Sequence, residues 1–187
     1  MNVYDFDGTI YDGDSTKDFY FYCVKQYPDV LRAVPSQISG VILYILHKID
    51  KTRFKEKFYT FLRYIPDIDK AVENFWSSHE SNIKAFYKEQ HENSDVVISA
   101  SPEFLLAPIC KKLSINTLIA SQVVKNTGKY VGVNCRCKEK IKRFYEIYPE
   151  GVIDNFYTDS KSDRPLAEIA KKSYMVKGNE VKEWVVQ

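Results

Sequence analysis

Apolar and polar positions divide the chain into three stretches with different periods. Residues 2 to 6, Asn-Val-Tyr-Asp-Phe, read as a short buried strand that Asp7-Gly8-Thr9 stops with turn chemistry. From Asp14 to Gln90 the period is helical. Phe19, Tyr22, Cys23 and Gln26 recur at i, i+3, i+4 and i+7 behind the N-cap candidates Asp14 and Ser15. Pro28, Pro35 and Pro66 punctuate this stretch, which predicts helices over 15–27, 36–48, 51–63 and 67–89 with no strand between them. Ile38, Val41, Ile42 and Ile45 share one face of the second helix, where packing inside the helical segment is the first expectation and contact with lipid the second. After residue 90 the pattern alternates. Strands are expected at 95–99, 117–121, 152–158 and 174–176, helices at 102–113, 138–148 and 163–172, and a hairpin over 123–131. Apolar strands alternating with helices predict an α/β fold: a doubly wound, mainly parallel sheet with helices on both faces.

Length and composition narrow this picture. With 187 residues the chain suits one domain carrying a large insertion, expected as a core of residues 1–13 and 91–187 and an all-helical cap of residues 14–90. A net charge of +2, from 27 Lys and Arg against 25 Asp and Glu, gives no case for a nucleic-acid partner. The longest apolar run, Val41 to Leu46 around Tyr44, is far short of a bilayer span. Four cysteines, unevenly placed, form no disulfide framework, and no signal segment is legible at Met1, so a cytoplasmic protein is expected. The aromatic content of 14% is high. Its rings crowd into residues 19–87, as the interior of a helical cap or the roof of a binding site.

Ligands of such sheets gather beyond the carboxyl ends of the strands. There the chain places Asp5 and Asp7, Ser99, and Asp159. Asp5 and Asp7 are two apart, which on an extended backbone turns both carboxylates to one side. Beside a polyanion they call for a hard divalent cation with oxygen ligands, Mg²⁺ by preference, with Asp159 as a third donor. One carboxylate can then attack while its neighbour moves a proton.

Asp5-Phe6-Asp7-Gly8-Thr9 resembles the first signature of the haloacid dehalogenase superfamily. Val96-Val97-Ile98-Ser99, the basic stretch around Lys140, and Thr158-Asp159-Ser160-Lys161-Ser162-Asp163 resemble the second, third and fourth, in the family's order. The helical insertion is similar to the type-one cap of the phosphoserine phosphatase branch. Leu118 to Gln122, Arg136 to Ile141 and Asp159 to Leu166 look closest to phosphatidylglycerophosphatase C-like members. The resemblance implies a Mg²⁺-dependent phosphatase acting on a phosphomonoester through an aspartyl phosphate on Asp5, with Asp7 as acid and base. Asp5, the backbone carbonyl of Asp7, and Asp159 would hold the metal, with Asp163 orienting its surroundings. Ser99, the amides of Ala100 and Ser101, and Lys140 would bind phosphate, Lys140 being preferred over Lys138 and Lys142. A small phosphorylated metabolite is the first substrate class, a phosphatidylglycerophosphate-like lipid the second, and a silent binding protein on the same fold the third reading.

Several further positions carry expectations of their own. Asp14 is foremost the N-cap of the first helix, and secondarily a substrate-facing residue. Ser101 is the expected cap of the helix after the second strand. Thr158 and Cys137 stand where relatives have Gly, and Cys135 and Cys137 are read as free thiols rather than a metal pair.

Overall fold

A computed structural model describes residues 1–186. Six strands form one sheet: β1 (Asn2–Tyr4), β2 (Val96–Pro102), β3 (Thr117–Ser121), β4 (Asn155–Thr158), β5 (Lys172–Lys177) and β6 (Glu180–Glu183), in the order β3-β2-β1-β4-β5-β6. All neighbours are parallel except β5 and β6. Chain order reverses at β1, between β2 and β4, the place where open α/β sheets leave a crevice at their carboxyl edge.

Alternation along the central strands explains why both faces are covered. Val3, Val96 and Ile98 join one buried cluster with Phe144, Phe156 and Leu166, whereas Tyr4 and Val97 join the other with Leu105 and Leu106. A strand buried on both faces needs apolar residues at consecutive positions, and Val3-Tyr4 and Val96-Val97-Ile98 supply them. One face carries α7 (Lys138–Ile147) and α8 (Arg164–Ala167), the other α6 (Glu103–Lys112).

Between β1 and β2 lie α1 (Ser15–Gln26), α2 (Val34–Ile45), α3 (Lys51–Phe58), α4 (Ile68–His79) and α5 (Ala85–Gln90), with 3-10 turns at Pro28–Ala33, Tyr59–Tyr64 and Glu80–Asn82. The rings hold this segment together and root it on the sheet. Phe19, Phe61 and Phe75 are buried, and Trp76 meets Phe6 and Tyr11 edge-on at 5.9 and 5.5 Å while its indole N–H donates to the Leu105 carbonyl at 2.6 Å. Phe54, Phe58 and Tyr59 face a cleft instead. The aromatic surplus thus serves as interior and as wall.

Several expected boundaries move. The helix expected over 67–89 breaks at Ile83, which bridges to Tyr11, and Lys84, whose N–H donates to the Ile10 carbonyl at 2.9 Å. Backbone groups engaged with the turn after β1 cannot also continue a helix. The helix expected over 51–63 tightens into a 3-10 turn after Phe58, and α8 covers only four residues of 163–172. The hairpin over 123–131 is a turn closed by one Val123–Tyr130 bridge. Strand β6 was not expected. It returns through Gly178, at φ 59°, as a polar edge strand with no apolar alternation to announce it.

Helix α2 corrects a larger expectation. Ile38, Val41, Ile42 and Ile45 do share a face, but that face is 44–67% exposed, and Gly40 is the one buried residue of the helix. The small and polar side does the packing. Gln37 donates to the Phe58 carbonyl at 3.1 Å, Ser36 to the Lys57 carbonyl at 3.4 Å, and a Cβ on Gly40 would come within 2.9 Å of the Lys57 Cβ.

Candidate active site

The site begins where β1 ends. Asp5 leaves the strand with its N–H still bonded to the Tyr157 carbonyl of β4 at 2.9 Å, so the sheet fixes its backbone. The next residues coil tightly. Thr9, Ile10 and Tyr11 all donate to the Phe6 carbonyl, and Gly8 donates to the Gly13 carbonyl at 2.9 Å. Gly8 adopts φ 71°, and a Cβ on it would collide with the Asp159 carboxylate. The glycine therefore lets the loop after β4 approach the loop after β1.

Asp5 Oδ1 accepts from Lys140 Nζ at 2.9 Å, and the same ammonium donates to Asp163 Oδ2 at 2.7 Å. Lys140 is 2% exposed. Burial opposes its charge, yet the two carboxylates outweigh that and raise its pKa, so the lysine is cationic. Asp5 is pushed up to about 7, by burial first and against the pull of Lys140. Thr158 Oγ1 adds a 3.2 Å bond to Asp163. A Gly at 158 could not make it.

Asp7 is held apart from this triad. Its carboxylate accepts from the Ser15 N–H at 2.7 Å, at the start of α1, and from the Ser101 hydroxyl at 2.5 Å. Burial raises its pKa, against those two bonds, which favours a proton at this position. Ser99 is buried midway along β2, its Oγ accepting from the Ser101 N–H at 3.1 Å. The hydroxyl proton of Ser99 is left to donate elsewhere. Two expectations for Ser101 change with this. Its amide is engaged by Ser99, and its hydroxyl reaches Asp7 instead of capping α6, whose N-cap is Pro102 without a side-chain bond. The reason is that β2 runs on to Pro102, which carries Ser101 across towards β1 before the helix starts.

Asp5, Asp7, Asp14, Ser99, Ala100, Lys140, Asp159 and Asp163 all line one cleft of about 630 Å³ at the carboxyl edge of the sheet. Asp14 is also the N-cap of α1, accepting from the Lys17 N–H at 3.1 Å. Lys138 and Lys142 are exposed on α7 and stay outside the cleft. Four cations of the cleft were missed by sequence reasoning: Lys17 of α1, Lys51 and Lys55 of α3, and Arg136. Lys55 donates to the Ala100 carbonyl at 2.9 Å and to Asn134 Oδ1 at 3.2 Å, and burial pulls its pKa down to about 8 against the attraction of Asp7. The only sequence signal for it was the basic spacing of Lys51, Lys55 and Arg136, which solvated surfaces share.

Oxygen donors suit a hard cation here. Asp159 has a raised pKa, from burial first, and no hydrogen-bond or ion-pair partner on another side chain among the described residues. A carboxylate with no side-chain partner, lying against the Gly8 backbone, fits a cation held by Asp5, the Asp7 carbonyl and Asp159. Among the described residues no three His, Cys, Asp or Glu side chains form a metal cage, so the fit is to two carboxylates and a main-chain oxygen.

A polar cleft at the switch point of a doubly wound sheet, walled by an aromatic helical segment, defines an α/β enzyme architecture. The family model for haloacid dehalogenase-like hydrolases matches residues 3–168, and the chain belongs to this family. Protein CicA of Caulobacter vibrioides (strain NA1000 / CB15N) is 31% identical over 88 residues, 43% of this chain and 40% of that protein. Histidinol-phosphatase of Neisseria meningitidis serogroup C (strain 8013) is 26% identical over 113 residues, 52% of this chain and 51% of that one. The matches thus span about half the length of these relatives or less. Among solved structures, a protein of unknown function from Bordetella pertussis Tohama I superposes with TM-score 0.74 at 17% identity, covering 92% of this chain and 87% of that one. A phosphoserine phosphohydrolase-like protein from Francisella tularensis subsp. tularensis SCHU S4 does so with TM-score 0.58 at 16% identity, covering 92% and 86%. These likenesses establish the shared fold.

Proposed function

We propose that this hydrolase is a Mg²⁺-dependent phosphatase that cleaves a phosphomonoester in two steps on Asp5, with residues 14–90 as a cap over a core of residues 1–13 and 91–187. The observation that carries this reading is the division between two carboxylates two residues apart. Asp5 is paired with a buried ammonium, while Asp7 sits in separate surroundings that favour its protonated form. An Asp5 oxygen attacks phosphorus, the bond from phosphorus to the alcohol oxygen breaks, and Asp7 gives its proton to the departing oxygen. Asp7, now a carboxylate, takes a proton from water; the oxygen of that water attacks phosphorus, freeing Asp5 and inorganic phosphate. Lys140 and the Ser99 hydroxyl steady the charge on the transferring group, and Asp163 with Thr158 orients Lys140. When bound, the cation supplies positive charge that lets an anionic nucleophile meet an anionic substrate.

A small phosphorylated metabolite in the cytoplasm is the first substrate class. The names of the histidinol-phosphatase relative and the phosphoserine phosphohydrolase-like structure support it. A phosphorylated lipid is the second, favoured by the exposed aliphatic face of α2. Turnover of p-nitrophenyl phosphate that requires Mg²⁺ and is abolished by Asp5→Asn tests the mechanism. Turnover that survives Asp5→Asn sinks it, and no turnover of this or any member of a metabolite phosphate panel by the unaltered protein favours a silent binding protein.

A further inference from the structure

Helix α2 is assembled inside out. Its twelve residues carry no charge, its small and polar side (Ser36, Gln37, Gly40) is spent on α3, and its aliphatic side (Ile38, Val41, Ile42, Ile45, with Leu46 beyond) faces water. The exposed residues follow i, i+3, i+4 and i+7, so they form one stripe along a helix about 18 Å long. Isolated apolar residues on a surface need no explanation; a continuous stripe of this kind marks a contact.

The charge around the stripe says which contact. Residues 25–63 hold eight Lys and Arg against three Asp and Glu; with Lys51 and Lys55 set aside because they line the cleft, six remain against three, a net of +3 in a chain whose total is +2. Arg32 and Lys48 stand exposed before and after the helix, and Lys25, Arg53 and Arg63 are exposed in the same segment. Pairing two copies through this face would bring two such lobes together, like charge against like. An anionic lipid surface supplies the opposite charge and an apolar layer at the right depth.

We propose that α2 is an interfacial docking helix, which lays the Ile38–Leu46 stripe into the headgroup boundary of an anionic bilayer with Arg32 and Lys48 flanking it. Docking is a property of the outer face of the helical segment. Helix α3 lies between α2 and the cleft, so the bilayer would be one helix away from the candidate active site. No helix among the described residues is long and apolar enough to cross a membrane, so this contact lies on the surface.

Flotation of the full chain with phosphatidylcholine vesicles, with and without phosphatidylserine, tests it, alongside p-nitrophenyl phosphate turnover in solution as a folding control. The expected result is flotation with phosphatidylserine vesicles that falls about tenfold or more on Ile42→Asp with Ile45→Asp, solution turnover being unchanged, and that weakens as salt is raised. Both positions are more than half exposed, which leaves the interior untouched. Should that variant fail to fold, Arg32→Glu with Lys48→Glu reads the electrostatic half, and is expected to reduce flotation with no change in turnover. Absence of flotation with phosphatidylserine vesicles overturns the proposal. So does flotation unaffected by either pair of substitutions, or a solution dimer that Ile42→Asp with Ile45→Asp dissolves.

Discussion

Lys140 bridges Asp5 and Asp163 in a setting nearly closed to water, and this makes it the residue on which the site depends most. Lys140→Met leaves two facing carboxylates without their cation. The expected cost is about 3–5 kcal/mol of stability, read by thermal or denaturant unfolding, together with a loss of turnover of at least about a hundredfold. The pH dependence follows from Asp5. Burial pushes its carboxyl up to about 7, above the usual carboxylate range, so protons compete with a cation for it. Mg²⁺ affinity should therefore rise as the pH is raised through about 6 to 7, and calorimetry in buffers of different ionisation enthalpy should detect proton release on binding. An affinity flat across that window would contradict the assignment. At Cys137 the backbone lies at φ 51° and ψ −125°, a region that favours glycine. Cys137→Gly should stabilise the protein by about 1 kcal/mol, raising the melting temperature by roughly 2–4 °C. Four free cysteines agree with reading this residue as a thiol without a disulfide.

What was legible at the level of elements depended on whether the signal was local. Asp5 and Asp159 were found because each directly follows a buried strand whose end faces the crevice, and Ser99 because the apolar run stops there, although β2 itself continues to Pro102. Lys140 was separable from Lys138 and Lys142 only through the family pattern, since all three lie on one helix and burial decides between them. Lys51, Lys55 and Arg136 were invisible because they reach the cleft through tertiary packing of α3 and of the chain before α7, which no periodicity encodes. The break at Ile83 has the same cause, a bridge to Tyr11 across 72 positions of sequence. On α2 the stripe was legible, but not the side on which it would be buried. Gly40 decides that by letting α2 sit close to Lys57 on α3. Gly40→Val should force the two helices apart at a cost of about 1–3 kcal/mol, measurable by chemical denaturation. A substitution without effect would mean that α2 is held by its ends alone.

For the molecule as a whole, the fold class and the parallel sheet followed from alternation after residue 90, while the polar edge strand β6 escaped because nothing in Glu180–Glu183 is buried. The order of the sheet has a further consequence. β1 comes first in the chain yet pairs with β2, whose residues begin at 96, and with β4, whose residues begin at 155. During synthesis the first strand must wait unpaired while the intervening segment of some ninety residues is made. Only after Asp163 has cleared the ribosome can Lys140 close against both of its carboxylates. The helical segment, rich in local contacts, can form meanwhile and shelter Tyr4 and Phe6, which pack on Tyr87 and Trp76, from other chains. Its position between the first two strands would then protect the newborn protein from aggregation during the time when the centre of its sheet is still an open edge.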